Sequence, residues 1–269
     1  MAIGLLKQMN NTMKANSAFF VLLMVSTLAN SATCSKPVYL TFDTGNMAVA
    51  DYVANTLRQH DVKATFFLAN EKTKRGDYSL DDSWIGFWQE LKKEGHAFGN
   101  HTFHHTYFIK DLGRNRVLTK PQFGSQAGKA VVTDQQQLCQ ELKLVNDRFV
   151  KITGKPLDPI WRAPGGKVSP QYIEMGHVCS YKHVGWSPAG FLGDELASEK
   201  FSNASLLDKA LKNIQPGDVL MAHLGIWSRN DPWAPEVLEP LILGLKKKGY
   251  CFGTILDAQH DSRLSRIIQ

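Results

Sequence analysis

The sequence has no long apolar run, no Cys-x-x-Cys pair, no glycine-rich phosphate loop and almost no clustered positive charge, and each absence closes off a class of function. The longest apolar run, Ala18 to Val25, extended past Ser26 and Thr27 by Leu28 and Ala29, is too short to span a bilayer. Cysteine spacing of the wrong kind removes support for zinc–sulfur ligation and for thioredoxin-like redox chemistry. Without a phosphate fingerprint after any predicted strand, an open nucleotide-binding sheet loses its main signature. Lys246 to Lys248 are the one run of three basic residues, on a helix flank, which argues against nucleic acid as a partner. What is present is ordinary for a globular protein: 269 residues, net charge +6, 43% hydrophobic and 21% charged. That composition excludes disorder, collagen and coiled coil, and the length suits one folded domain with one sizeable core.

Residues 1–32 contain no acid, carry only Lys7 and Lys14, and end in the small residues Ala29, Ser31 and Ala32. They read as a secretory signal peptide, with an uncleaved amphipathic anchor as the alternative. The folded domain is then residues 33–269, exported to the periplasm or secreted, with no stable membrane insertion of its own. It keeps 29 bases against 25 acids, a mild basicity that suits approach to an anionic cell-wall polymer. Export makes the four cysteines candidates for two structural disulfides, for which three pairings exist.

Periodicity predicts strands at Val38–Phe42, Ala64–Leu68, Ala97–Gly99, Pro159–Arg162, His183–Trp186, Asp218–Ala222 and Cys251–Ile255. Helices are predicted between them, around Ala50–Leu57, Asp82–Glu94, Pro170–His177, Ser205–Asn213 and Pro235–Lys248. Leu138, Leu142, Val145, Phe149 and Ile152 mark one face of a long helix. The stretch from Tyr107 to Thr133 breaks the alternation and is either a functional surface loop or a β-hairpin insertion. Seven or eight strand–helix units point to an α/β fold with a parallel sheet, a (β/α) barrel rather than a doubly wound sheet.

In such barrels the reactive groups stand at the carboxyl ends of the strands. Five polar clusters fall there: Thr41-Phe42-Asp43-Thr44-Gly45, Asn100-His101-Thr102-Phe103-His104-His105, Trp161-Arg162-Ala163-Pro164-Gly165-Gly166, Trp186-Ser187-Pro188 and Leu220-Met221-Ala222-His223. His101 and His105, four apart, would share one face of a helical turn and suit one metal ion. Asp43 suits a general base and His223 a general acid, with Arg162 holding the carboxylate ionised.

The order T-F-D-T-G, H-T-F-H-H, R-A-P-G-G, then Trp186, then L-M-A-H resembles the polysaccharide deacetylases of carbohydrate esterase family 4, the NodB homology domain. The resemblance runs from about Pro37 to Thr254. It implies a distorted (β/α) barrel of seven or eight strands that hydrolyses acetyl groups, most often N-acetyl, from a polysaccharide such as peptidoglycan or poly-N-acetylglucosamine. It also implies a divalent metal, zinc first, with cobalt, nickel or manganese as alternatives. By the same resemblance Asp43 is the catalytic base, Arg162 positions it, and His223 is the acid. His101 and His105 are metal ligands, and the Gly165 N–H faces the oxyanion.

The chain departs from the family pattern at several positions. Thr44 occupies the third metal position, usually a second Asp, where a hydroxyl brings no charge, so either metal affinity falls or water, Asp43 or another acid completes the shell. Gly165 stands where the family usually has an aromatic residue, which keeps the main-chain donor and loses the aromatic wall. Leu220 keeps the first Leu of the acetyl pocket while Ala222 replaces the second, and Trp186 is kept while the Asp usually before it is Gly185. Asp194 is the nearest candidate for the partner of His223. Trp227 and Trp233, after His223, are candidates to stack on sugar rings, and Trp84 and Trp88 are read as packing residues. Cys34 and Cys251 would join the first and last strands if the barrel closes, leaving Cys139 with Cys179. Two other functions remain in view: a catalytically silent glycan-binding protein that lost its metal with the acidic ligand, and an O-acetyl esterase using the same site.

Overall fold

The computed structural model describes residues 34–260 and 264–269; the expected signal peptide, residues 1–32, lies outside them. In chain order the elements are β1 (Pro37–Asp43), α1 (Ala50–Gln59), β2 (Thr65–Leu68), α2 (Ile85–Lys93), β3 (Ala97–Asn100), β4 (Thr106–Gly113), β5 (Arg116–Pro121), β6 (Val131–Asp134) and α3 (Gln135–Thr153). There follow β7 (Ile160–Trp161), α4 (Pro170–Val178), β8 (Lys182–His183), α5 (Asn203–Asn213), β9 (Val219–His223), α6 (Trp233–Lys247) and β10 (Cys251–Gly253).

Strand β1 is the hub of a parallel sheet. It pairs with β2, β9 and β10, and the sheet continues from β2 through β3 and β7 to β8. After β8 the irregular segment 187–192 returns to β9: Ser187 N donates to Val219 O at 3.0 Å and Leu192 N to Met221 O at 3.2 Å. The sheet therefore curls into the expected distorted barrel. Alternation along β1 sorts its side chains: Val38, Leu40 and Phe42 face the helices with Val53, Leu57, Leu238 and Leu241, while Tyr39 packs with Phe67, Ile160, Val184 and Val219 in a second cluster. Among the described residues no helix is long and apolar enough to cross a membrane.

The pattern-breaking stretch is a β-insertion. Strands β4, β5 and β6 form their own antiparallel sheet, which feeds directly into α3. Asp134 starts α3 with a capping box, accepting from Gln137 N at 2.9 Å while Gln137 Oε1 accepts from Asp134 N at 2.8 Å. The apolar face read from the sequence, Leu138 to Ile152, is buried throughout.

Three strands are each two residues shorter than the sequence pattern suggested, β10 ending at Gly253. β7 covers Ile160–Trp161 and β8 only Lys182–His183, so Gly185 and Trp186 stand outside the sheet. Beyond β8, the Val184 and Gly185 carbonyls accept from the Arg162 guanidinium, each at 3.1 Å. The cysteines pair as expected, Cys34 with Cys251 beside the β1–β10 ladder and Cys139 on α3 with Cys179 after α4, with Cα–Cα distances of 6.3 and 5.2 Å.

Candidate active site

The carboxyl ends of β1, β3, β7 and β9 meet at one cleft of about 190 Å³, lined by Asp43, His101, His105, Gly165, Trp186, Met221, His223 and Trp227 among others. Five clusters far apart in sequence thus converge because a parallel sheet puts every carboxyl end on the same side.

Asp43 ends β1 and is 3% exposed. Its Oδ1 accepts from Arg162 Nη1 at 2.8 Å, and Oδ2 lies 3.6 Å from His101 Nε2. Burial alone would raise its pKa, but the Arg162 guanidinium, with His101 and His223 nearby, holds it below the usual carboxylate range. Arg162 is itself fully buried and uses Nε, Nη1 and Nη2 on Val184 O, Thr41 Oγ1, Asp43 and Gly185 O, while its guanidinium stacks over Phe67 at 4.1 Å. Four of its five N–H donors are spent on these acceptors, so it reads as the residue that fixes Asp43.

The two histidines meet by a different route from the helical turn expected. Thr102 and His105 both adopt positive φ, 59° and 47°, and His105 N donates to Thr102 O at 3.3 Å, so a tight irregular turn brings the rings to 5.0 Å. His101 Nδ1 pairs with Arg162 O at 2.8 Å, which makes Nδ1 the protonated nitrogen and leaves Nε2 as a lone-pair donor facing the cleft. Burial lowers the His101 pKa to about 4, so the ring is neutral at ordinary pH.

On the other side, Asp194 takes the role proposed for it. It accepts from His223 N at 2.7 Å and lies 3.1 Å from His223 Nδ1. Burial opposes the charge on His223, but the charge and hydrogen bond of Asp194, with Asp43 and Glu195 behind, raise its pKa to about 10. It is therefore a protonated ring in the same cleft as an ionised carboxylate, an arrangement able to do acid–base chemistry.

Sequence reasoning missed several lining residues. The carboxylate of Glu71, just past β2, only accepts: its Oε1 takes the Thr44 hydroxyl at 2.5 Å and Gly45 N at 2.8 Å, and Oε2 lies 4.0 Å from His105 Nε2. Burial would raise its pKa, yet His105 and the Thr44 hydrogen bond hold it below the ordinary value. Glu195 lines the cleft near His223, with burial raising its carboxyl. Tyr107, at the start of the β-insertion, lies against Gly165 so closely that a Cβ there would stand 2.7 Å from its ring. The aromatic wall expected to be lost with Gly165 is thus supplied from β4, and Gln122 and Phe123 of the same insertion join it. Gly165 has φ +69°, and a side chain there would collide with Tyr107.

Two other expectations need correction. Leu220 is not a lining residue: it is three positions from His223, so strand alternation turns it to the opposite face, where it is fully buried among core residues, and Met221 lines the cleft instead. Trp233 is 3% exposed and packs in the core at the start of α6, as do Trp84 and Trp88. Trp227 is 54% exposed at the rim, with Lys74 Nζ 4.4 Å from its ring centre. Thr44 is 1% exposed, and its hydroxyl is occupied by Glu71 and by Ala69 N.

The sequence profile of the polysaccharide deacetylase family matches residues 30–184, more than half of the chain. The protein belongs to the polysaccharide deacetylase family. This deacetylase is 28% identical over 259 residues to the peptidoglycan-N-acetylmuramic acid deacetylase PdaA of Bacillus subtilis, covering 96% of this chain and 81% of that one. It is 26% identical over 224 residues to a peptidoglycan-N-acetylglucosamine deacetylase of Bacillus cereus, covering 82% and 86%. Among solved structures it matches a family 4 acetyl xylan esterase from Clostridium thermocellum in complex with a cobalt ion, with TM-score 0.61, 20% identity and coverage of 82% and 89%. That likeness agrees with the curled parallel sheet.

Members of this family generally work with a divalent metal, and the donor chemistry of the cleft fits one. Among the described residues no three of His, Cys, Asp and Glu form a ready-made metal cage. The pairs nevertheless stand near the right spacing: two ligands bound at about 2.0–2.1 Å on a tetrahedral ion are about 3.3 Å apart. Here His101 Nε2 and Asp43 Oδ2 are 3.6 Å apart, and His105 Nε2 and Glu71 Oε2 4.0 Å. Two imidazoles, one held in the lone-pair tautomer, face buried carboxylates.

Proposed function

We propose that this deacetylase is exported and removes N-acetyl groups from peptidoglycan sugars with the help of a divalent metal, zinc first. The observation that carries the reading is the joint placement of Asp43 on Arg162 and His223 on Asp194 in the cleft that also holds His101 and His105. A glycan-binding protein without turnover has no use for a buried base and an acid poised at opposite pKa directions in one cleft. Both relatives named above act on peptidoglycan by their names, one at each of its two sugars.

His101 and His105 would hold the metal, which when bound acts as a Lewis acid toward the acetyl carbonyl and the attacking water. Asp43, kept ionised by Arg162, takes a proton from that water as its oxygen bonds to the carbonyl carbon. The Gly165 N–H donates to the oxygen that gains negative charge. When the carbon–nitrogen bond breaks, His223 gives its proton to the departing nitrogen, so the products are acetate and a free amino sugar. Tyr107 and Trp186 wall the acetyl end, and the exposed indole of Trp227 offers a face for a sugar ring. Acetate release from purified peptidoglycan, assayed with and without a chelator and with zinc restored, tests the reading. Release that a chelator stops and zinc restores supports it; no release under either condition, from folded protein, contradicts it.

A further inference from the structure

The Glu71 carboxylate has surroundings that a structural role does not explain. It is 8% exposed, and its contacts are a hydroxyl, an amide N–H and the His105 ring. Among the described residues no lysine or arginine pairs with it, whereas Asp43, the neighbouring buried carboxylate, has Arg162. Burying a carboxylate without a cation is costly, and such groups are kept where they are paired or coordinate a metal.

The chain also holds Glu71 rigidly. Its N–H donates to Ser79 Oγ at 3.0 Å, its carbonyl accepts from Ser79 N at 2.8 Å, and Lys72 bridges to Tyr78. Ser79 Oγ in turn donates to Ala69 O at 2.6 Å. The end of β2 is fixed beside Thr44 by the β1–β2 ladder and by Thr44 N donating to Phe67 O at 3.2 Å. An aspartate at position 44 would reach into the space that the Glu71 carboxylate fills.

We infer that Glu71 is the metal-binding carboxylate of this enzyme, supplied from the end of β2 in place of the acid missing at position 44, and that Thr44 is a positioning residue that orients it. This rests on the metal-dependent reading above. Oε1 is held by Thr44 and Gly45, which leaves Oε2, on the His105 side, for the ion. The Asp-to-Thr departure in T-F-D-T-G is then a relocation of charge, not a loss of it.

The test is zinc affinity of the purified full-length chain, stripped of metal and titrated against a chromophoric chelator, so that no activity is needed. His101→Ala marks the site, and thermal unfolding monitored by circular dichroism confirms that each variant is folded. Glu71→Gln, which keeps size and polarity, is expected to weaken zinc binding at least about tenfold, and Thr44→Val by a smaller factor. In the Glu71→Gln background, Thr44→Asp is expected to restore affinity, because it returns a carboxylate to the same space. Wild-type affinity in Glu71→Gln, with His101→Ala impaired, overturns the inference while leaving the metal-dependent reading intact. A wild-type chain that binds no zinc contradicts both, and failure of Thr44→Asp to restore binding contradicts the shared-space argument and the inference with it.

Discussion

Replacing Asp194 by Asn would remove the charge that keeps His223 protonated while preserving the shape and the acceptor for His223 N. In the wild-type enzyme burial works against the imidazolium, and Asp194, by charge and hydrogen bond, is the largest influence in the other direction, raising the pKa to about 10. Without it burial is opposed only by the lesser influences of Asp43 and Glu195, so the ring falls from about 10 toward its unperturbed value of about 6.5. At pH 8 a ring with a pKa of about 6.5 is only about 3% protonated, against nearly full protonation in the wild type. Since in the proposed mechanism His223 delivers a proton to the leaving nitrogen, kcat/KM at pH 8 should fall roughly 30-fold while the loss at pH 5.5 is small. The assay is kcat/KM for acetate release from pH 5 to 10, where the alkaline limb should move about three units toward acid. The same pair predicts a stability trend. A pKa raised on folding contributes stability that is full below about 6.5 and is lost as pH rises toward about 10, so the wild type should weaken over that window and Asp194→Asn should not. An alkaline limb that stays in place in the variant would refute His223 as the acid.

Other outcomes follow from single contacts. Arg162→Met leaves Asp43 buried without its cation and should lower the unfolding free energy by about 3–5 kcal/mol in urea melts, and a loss under about 1 kcal/mol would contradict the described pairing. Tyr107→Ala opens the wall against Gly165 and should reduce kcat/KM up to about tenfold, from a lost aromatic contact of about 0.5–1.5 kcal/mol, with folding stability little changed. Opening the Cys139–Cys179 bridge by a double Ser substitution frees a segment of 40 residues and should cost about 4 kcal/mol of stability, read from the shift of the unfolding midpoint.

The barrel was legible because its evidence is local. Short apolar runs and a five-residue helical stripe from Leu138 to Ile152 need only a period, and the strand-end rule then gathers Asp43, His101, Arg162 and His223 at one mouth. Glu71 escaped because it belongs to no motif, yet the same rule held its signal: β2 ends at Leu68, and Ala69-Asn70-Glu71 stands at the mouth beside Thr44. Leu220 was misplaced by following a motif where parity decides, since residues three apart on a strand face opposite ways. Tyr107 could not be read from sequence, because only the packing of β4 on the Gly165 turn shows that an aromatic group returns where one is missing. The two histidine rings come together, though not through the helical turn expected, for positive φ at Thr102 and His105 leaves no periodic trace.

The most direct test is acetate release from purified peptidoglycan by the wild-type chain and by Asp43→Asn, with zinc supplied and each protein shown to be folded. The arrangement of Asp43 on Arg162 predicts steady release by the wild type and at least a thousandfold loss, on the order of a removed catalytic base, in the variant. Release by Asp43→Asn at the wild-type rate would contradict the account.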